Sequence, residues 1–264
     1  MDMFEYFGYF ADENNIDRLI AAENRVLDHL FDKYLPGSGD LLDSSAGYGR
    51  NAFRFADLGY NVTAGDFIAD HADAIKHDPR SSKLKEVFCS NPKNLSAFGN
   101  ETFDVVISLG SMYHMRTKAE REVFTRESLR VLKPGGTFAF SYMTPFALTY
   151  GQFCISMATH DAEKRMKAYR KLANVDNNHV CDVFYGMTLE EMTDLSREYK
   201  LHILTVASTY SMPFNMASEI DKMSDEEYDK FIDTQIATCE DPVAARYCMR
   251  GLYIGKKKSG DMFD

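Results

Sequence analysis

Apolar positions set out the architecture before any motif does. Ile16, Leu19, Ile20, Val26, Leu27, Leu30 and Phe31 recur at helical spacing, and Pro36-Gly37-Ser38-Gly39 closes the stretch, so the pattern predicts an amphipathic helix with a sharp stop. Phe4, Tyr6, Phe7, Tyr9 and Phe10 precede it as an aromatic clasp. The pattern then changes to short apolar runs: Leu41 to Ser44, Asn61 to Asp66, Leu84 to Cys89, Phe103 to Ser108 and Thr137 to Met143. Helical stretches separate them, at Ala52 to Leu58, Ala69 to His77, and from Thr117 to about Val131, where Thr117-x-x-Glu120 reads as a capping box. Strands that alternate with helices imply a parallel, doubly wound α/β sheet, because parallel neighbours need crossovers and these are helical.

From Pro145 to Gly186 the alternation lapses into a mixed aromatic, Met and charged segment. We take 145–186 as a cap insertion and 1–35 as an N-terminal lid helix on one domain spanning 1–264. Thr188-x-x-Glu191 and Ser224-x-x-Glu227 start two further helices, Leu201 to Tyr210 reads as a strand, and Ala245 to Lys256 reads as a last strand of open direction. The 264 residues suit one such domain.

Charge and cysteine usage narrow the function classes. A formal charge of −10 argues against nucleic-acid and anionic-membrane partners, since phosphates would meet a repulsive average field. The compact basic run Lys256-Lys257-Lys258 reads as a solvated end. Cys89, Cys154, Cys181, Cys239 and Cys248 are odd in number and widely scattered, so neither a disulfide framework nor a metal site is expected, and a reducing cytoplasm fits. No run approaches the length of a membrane span, and the amino terminus lacks a secretory pattern.

Candidate chemistry concentrates in Leu41-Leu42-Asp43-Ser44-Ser45-Ala46-Gly47-Tyr48-Gly49-Arg50. An apolar strand stops at a carboxylate, turns through small residues, and opens a helix. Glycines there let backbone N–H groups approach a ligand beside a positive helix terminus. Gly47 to Ala52 satisfies the G-x-G-x-x-G/A dinucleotide spacing, and Asp66 falls about 20 residues on, where a ribose-binding acid belongs. An NAD(P)-dependent oxidoreductase is therefore one reading. Against it, a carboxylate at Asp43 would repel a pyrophosphate by something on the order of 1 to 4 kcal/mol at 4 Å, and Ser45-Ala46 lengthens the turn before the first glycine. A ligand with ribose, an ammonium and no phosphate fits better.

On these residues the chain resembles the class I S-adenosylmethionine-dependent methyltransferases of small-molecule type. Asp43, Ser45, Gly47 and Gly49 match the family's D-x-G-x-G-x-G strand and loop, with Ser45 at the first glycine. Asp66 matches the second strand's acid, with Phe67 as adenine neighbour. Asn91-Pro92-Lys93-Asn94-Leu95 resembles the adenine loop, with Asn91 where many members carry an acid, and Leu129 to Gly136 resembles the turn into strand five. The resemblance implies a Rossmann-like, mostly parallel seven-stranded sheet with an antiparallel last strand, and S-adenosylmethionine as cofactor. It implies methyl transfer to a small-molecule acceptor, and places Tyr9, Arg18, Asp43, Ser45, Ala46, Gly47, Gly49, Asp66, Phe67, Asn91, Pro92, Leu109 and Gly110 on the cofactor, with Arg18 toward the methionine carboxylate. A catalytically silent S-adenosylmethionine-binding protein is the alternative that Ser45 and Asn91 motivate.

Leu109-Gly110-Ser111-Met112-Tyr113-His114-Met115 follows strand four and resembles the family's G-x-x-Y-H stretch. His114, ahead of Tyr113, is the candidate to orient or deprotonate an acceptor; the alternative is that the pair packs the pocket wall. In the insertion, Tyr150, His160, His179 and Tyr185 are possible acceptor-side groups, and Met143, Met157, Met166 and Met187 read as an adaptable apolar wall.

Overall fold

The computed structural model describes residues 18–89, 91–149, 163, 184–211 and 217–259. The aromatic clasp with Tyr9, and Tyr150, His160, His179, Met157 and Met166 of the insertion, lie outside the described residues.

The described chain runs α1 (Arg18–Tyr34), β1 (Asp40–Asp43), α2 (Arg50–Asp57), β2 (Asn61–Asp66), α3 (Ala69–His77), β3 (Glu86–Cys89), β4 (Phe103–Ser108), α4 (Lys118–Val131) and β5 (Leu132–Tyr142). Beyond residues 145–186 come α5 (Leu189–Glu198), β6 (Leu201–Tyr210), the single turn α6 (Ala217–Ile220), α7 (Asp225–Thr238), α8 (Pro242–Tyr247) and β7 (Arg250–Lys257). The strands form one seven-stranded sheet in the order β3-β2-β1-β4-β5-β7-β6. Neighbours from β3 through β5 pair parallel, and β7 lies antiparallel to both β5 and β6. The expected doubly wound sheet with its reversed last strand is present.

Period-two alternation divides the core between the two faces. Leu41, Val105, Ile107, Ala139 and Leu252 pack with Val26, Leu30 and Phe31 of α1 and Phe53 and Phe55 of α2. Leu42, Val106, Phe138, Phe140 and Tyr253 face the other way, against Phe124 and Leu129 of α4 and Met192 and Leu195 of α5. Both faces are covered, which is why the central strands read as unbroken apolar runs. All three capping boxes form, each Thr or Ser accepting from the Glu backbone N–H while that Glu carboxylate accepts in return.

Two expectations need correction. The last strand begins at Arg250, because Ala245 to Tyr247 belong to α8. Asp241 accepts from Val243 N at 2.7 Å and Pro242 occupies the first turn, a start signal that outweighs local β propensity. Lys257 is not a solvated end: it is 5 % exposed and its Nζ donates to the carbonyls of Leu129 and Leu132 at 2.9 and 2.8 Å. Strand alternation turns Lys256 and Lys258 outward and Lys257 in, onto the carboxyl end of α4. No helix among the described residues is long and apolar enough to cross a membrane.

Candidate active site

Asp43, Asp66 and Ser108 end β1, β2 and β4 side by side, at the carboxyl edge where open α/β sheets place ligands. The loop after β1 is stitched to both flanking strands. Ser44 N donates to Ile107 O of β4 at 3.0 Å, while Ala46 N donates to Gly65 O of β2 at 2.9 Å. Gly47 and Gly49 carry the turn at φ of 56° and 89°, and a Cβ on Gly49 would sit 2.8 Å from the Phe53 ring. Only glycine serves there.

Ser45, in the place of a glycine, is not in that region: the non-glycine residues with positive φ among those described are Glu101 and Lys200. Its hydroxyl shares a hydrogen bond of 3.0 Å with the Ser108 hydroxyl. The substitution thus adds a tie between the loop and β4 without backbone strain.

Asp43 is 1 % exposed and accepts from Ser45 N at 3.3 Å. Burial pushes its carboxyl up to about 7; the Ser45 N–H opposes the rise and the Asp66 carboxylate adds to it. No cation pairs with it among the described residues. Such a carboxylate is costly when ionised and is ready for a cation.

Asp66 is held from three directions, by Gly47 N at 2.8 Å, Ile68 N at 2.9 Å and His71 Nδ1 at 3.2 Å. His71 in turn lies against the half-exposed Tyr48 ring, centroids 4.6 Å apart. Phe67 beside Asp66 is 66 % exposed, an apolar ring presented to solvent next to polar groups. Asn91 Oδ1 accepts from Lys93 N at 2.9 Å, an Asx turn that leaves its NH2 as the outward donor. Pro92 is buried beside it, Ala46 is buried in the loop after β1, and Leu109 and Gly110 are half-buried directly after β4.

Tyr113 and His114 part company. Tyr113 is buried, and the position a Cβ on Gly110 would take is 3.9 Å from both its hydroxyl and that of Ser45, so Tyr113 faces the loop. Burial raises its phenol above the ordinary value, opposed by nearby Arg250. Arg250 pairs with Glu23 at 2.5 Å, and Glu23 also accepts from Thr209 Oγ1 at 3.0 Å. His114 is exposed, its ring 5.0 Å from that of Phe184. Tyr185 is turned from the site: its hydroxyl bonds Glu191 and its ring carries the Arg121 guanidinium at 3.5 Å. Arg18 is also committed elsewhere, donating to the Met223 carbonyl and to Asp225. Met143 packs with Tyr113, Ala147, Phe184 and Met249, and Met187 joins the core on the other face.

Sequence reasoning missed His71, Ser108 and the Glu23–Arg250 pair. His71 carried a signal, lying on the first turn of the helix that follows the strand-ending acid. The pair did not, because its members are joined only by the fold.

Comparison with known proteins agrees with this geometry. Residues 42–140 match the family model described as a methyltransferase domain. Methyltransferase GfsG of Streptomyces halstedii is 24% identical over 197 residues, which cover 73% of this chain and 69% of that protein. Among solved structures, the PH0226 protein from Pyrococcus horikoshii OT3 has a TM-score of 0.56 at 18% identity, covering 88% of both chains. An S-adenosylmethionine-dependent methyltransferase from Methanosarcina mazei has a TM-score of 0.56 at 16% identity, covering 88% of this chain and 98% of that one. The sheet order, the buried acid that ends β1 before the glycine loop and the matched domain lead to one assignment: residues 42–140 carry a methyltransferase domain, and the chain is similar to the S-adenosylmethionine-dependent methyltransferases, with S-adenosylmethionine the cofactor that this implies.

Proposed function

We propose that this methyltransferase acts on a small organic acceptor, with the donor held across β1, β2 and the 109–115 loop. The observation that carries the donor placement is Asp43, a buried carboxylate with no cation beside it among the described residues. An α-ammonium answers that need and a pyrophosphate does not, which sets the oxidoreductase reading aside. Asp66, already oriented by three donors, keeps lone pairs for ribose hydroxyls. Phe67 supplies an apolar face for adenine, and the Asn91 NH2 donates to a ring nitrogen.

Bound at this edge, S-adenosylmethionine supplies an electrophilic methyl group on a sulfonium. The chain's part is to align the acceptor and exclude water. Tyr113 stays a neutral phenol, since its pKa is raised, and acts by hydrogen bonding near the Ser45 turn. His114 accepts the proton that a hydroxyl acceptor gives up as its oxygen bonds to the methyl carbon.

The acceptor class rests on the wall around Tyr113. Met143, Ala147, Phe184, Tyr210, Ile220 and Met249 form the buried core that backs Tyr113, and the net charge of −10 disfavours a phosphate-rich acceptor. Calorimetry tests the donor: S-adenosylhomocysteine should give binding heat and NAD(P) none, and the reverse would sink the proposal. Incubation with labelled donor and a metabolite extract then tests transfer. Labelled low-mass product is expected; label confined to nucleic acid or protein would overturn the acceptor class, and donor binding with no product in broad extracts would favour a silent binding protein.

A further inference from the structure

The Asp66 carboxylate is filled unevenly. Its Oδ1 accepts from Ile68 N at 2.9 Å and from His71 Nδ1 at 3.2 Å, whereas Oδ2 has Gly47 N at 2.8 Å as its partner among the described residues. A carboxylate oxygen offers about two acceptor positions and a carboxylate donates nothing, so Oδ1 is saturated and His71 carries its ring proton on Nδ1. What is left for a ligand lies on Oδ2.

Helix α3 has no need of this imidazole contact. The His71 backbone N–H already closes the first turn by donating to Ile68 O at 3.1 Å, and a basic side chain on that turn gains nothing from the positive end of the helix. The ring is held instead by two residues of the site, Asp66 at Nδ1 and Tyr48, whose ring centroid is 4.6 Å away. Tyr48 lies between the two glycines of the turn, so the loop after β1, the acid that ends β2 and the start of α3 fix one another. The Asp66 side chain is 11 % exposed and tied by three donors, and it cannot turn to present Oδ1 outward without breaking them.

We propose that His71 is a positioning residue that makes Asp66 a one-sided ribose acceptor. Together with Ile68 N it fills Oδ1, so the ribose of the donor meets Oδ2 alone and only one of its two neighbouring hydroxyls is taken by the acid. A fork with one hydroxyl on each carboxylate oxygen is the arrangement that His71 excludes. The proposal rests on the donor placement above, with Asp66 at the ribose.

The test is calorimetry with S-adenosylhomocysteine and its 2′-deoxy and 3′-deoxy analogues. In wild type one analogue should bind at least about 10-fold more weakly than S-adenosylhomocysteine, the scale of a lost hydrogen bond to a charged group, while the other changes by less than about 3-fold. His71→Leu removes the Nδ1 donor and opens Oδ1, so the second analogue should then also fall at least about 10-fold below S-adenosylhomocysteine in the same variant. In His71→Asn the amide nitrogen takes the place of Nδ1, and the one-sided pattern should return, a rescue that ring packing alone would not give. The wild-type comparison needs no variant and stays decisive if His71→Leu does not fold. Comparable or absent losses for the two analogues in wild type would overturn the one-sided contact, and an unchanged pattern in a folded His71→Leu would remove His71 from it. If wild type does not bind S-adenosylhomocysteine, the donor placement itself fails.

Discussion

Asp43 shows how a single position separates two ligand classes that share a glycine spacing. Its carboxyl is raised to about 7 by burial foremost, so in the ligand-free protein it is a cost rather than a support. Asp43→Asn keeps the size and an acceptor for Ser45 N while removing the charge. The variant should therefore melt about 2–6 °C higher at pH 7.5 without ligand, for a gain of about 1–2 kcal/mol, yet bind S-adenosylhomocysteine at least about 10-fold more weakly. Scanning calorimetry and titration together check this; a variant that melts lower and loses affinity in proportion would make Asp43 a structural residue. At the residue scale the sequence read the strand-ending acids and the turn glycines, because each is dictated by a local constraint. It left Ser45 open, since the sign of its φ depends on where the hydroxyl goes, and the partner is Ser108 on β4. The contacts of Arg18 were hidden for the same reason. Its partners, Met223 and Asp225, lie about 200 residues along the chain and come near only through α6 and α7.

Elements were legible where their ends carry their own chemistry. Thr117, Thr188 and Ser224 each announced a helix three residues before a Glu, whereas α8 was hidden because its apolar content matched the strand that follows. Lys257 joins two elements that sequence alone could not pair: an ammonium on β7 closes the open carbonyls of α4. Replacing it by Met leaves Leu129 O and Leu132 O without a donor, and each buried orphan acceptor is costly. Lys257→Met should lower stability by about 2–3 kcal/mol in urea, with donor affinity unchanged because the site lies elsewhere; a loss below about 0.5 kcal/mol would mean that water replaces the ammonium. Gly49→Ala acts on the other end of an element. Its φ of 89° and the Phe53 ring 2.8 Å from an added Cβ predict about 2–4 kcal/mol of destabilisation. The turn would also open, so donor binding should fall to an undetectable level at ligand concentrations that saturate wild type.

For the whole molecule, the pH profile ties site and fold together. Glu120, hydrogen-bonded first by Lys93 and then by the Thr117 N–H, and Asp78, held by Arg80, are each lowered to about 2. Both are folded-state depressions, so what they contribute is present above the ordinary carboxylate range and is lost as pH falls through about 2. Asp43 works in the opposite direction. Its folded pKa lies above the unfolded value, so the native state binds the extra proton between about pH 4 and 7, and ligand-free stability declines as pH rises through that window. An ammonium bound beside Asp43 stabilises the ionised form and removes the decline. The melting-temperature rise given by a fixed saturating excess of S-adenosylhomocysteine should therefore grow from pH 5 to pH 7, while the amine of the ligand stays charged throughout. In Asp43→Asn the rise should be smaller and flat across the same range, since no group at that position titrates. A wild-type rise that is also flat would separate Asp43 from the ligand and leave its raised pKa a property of the fold alone.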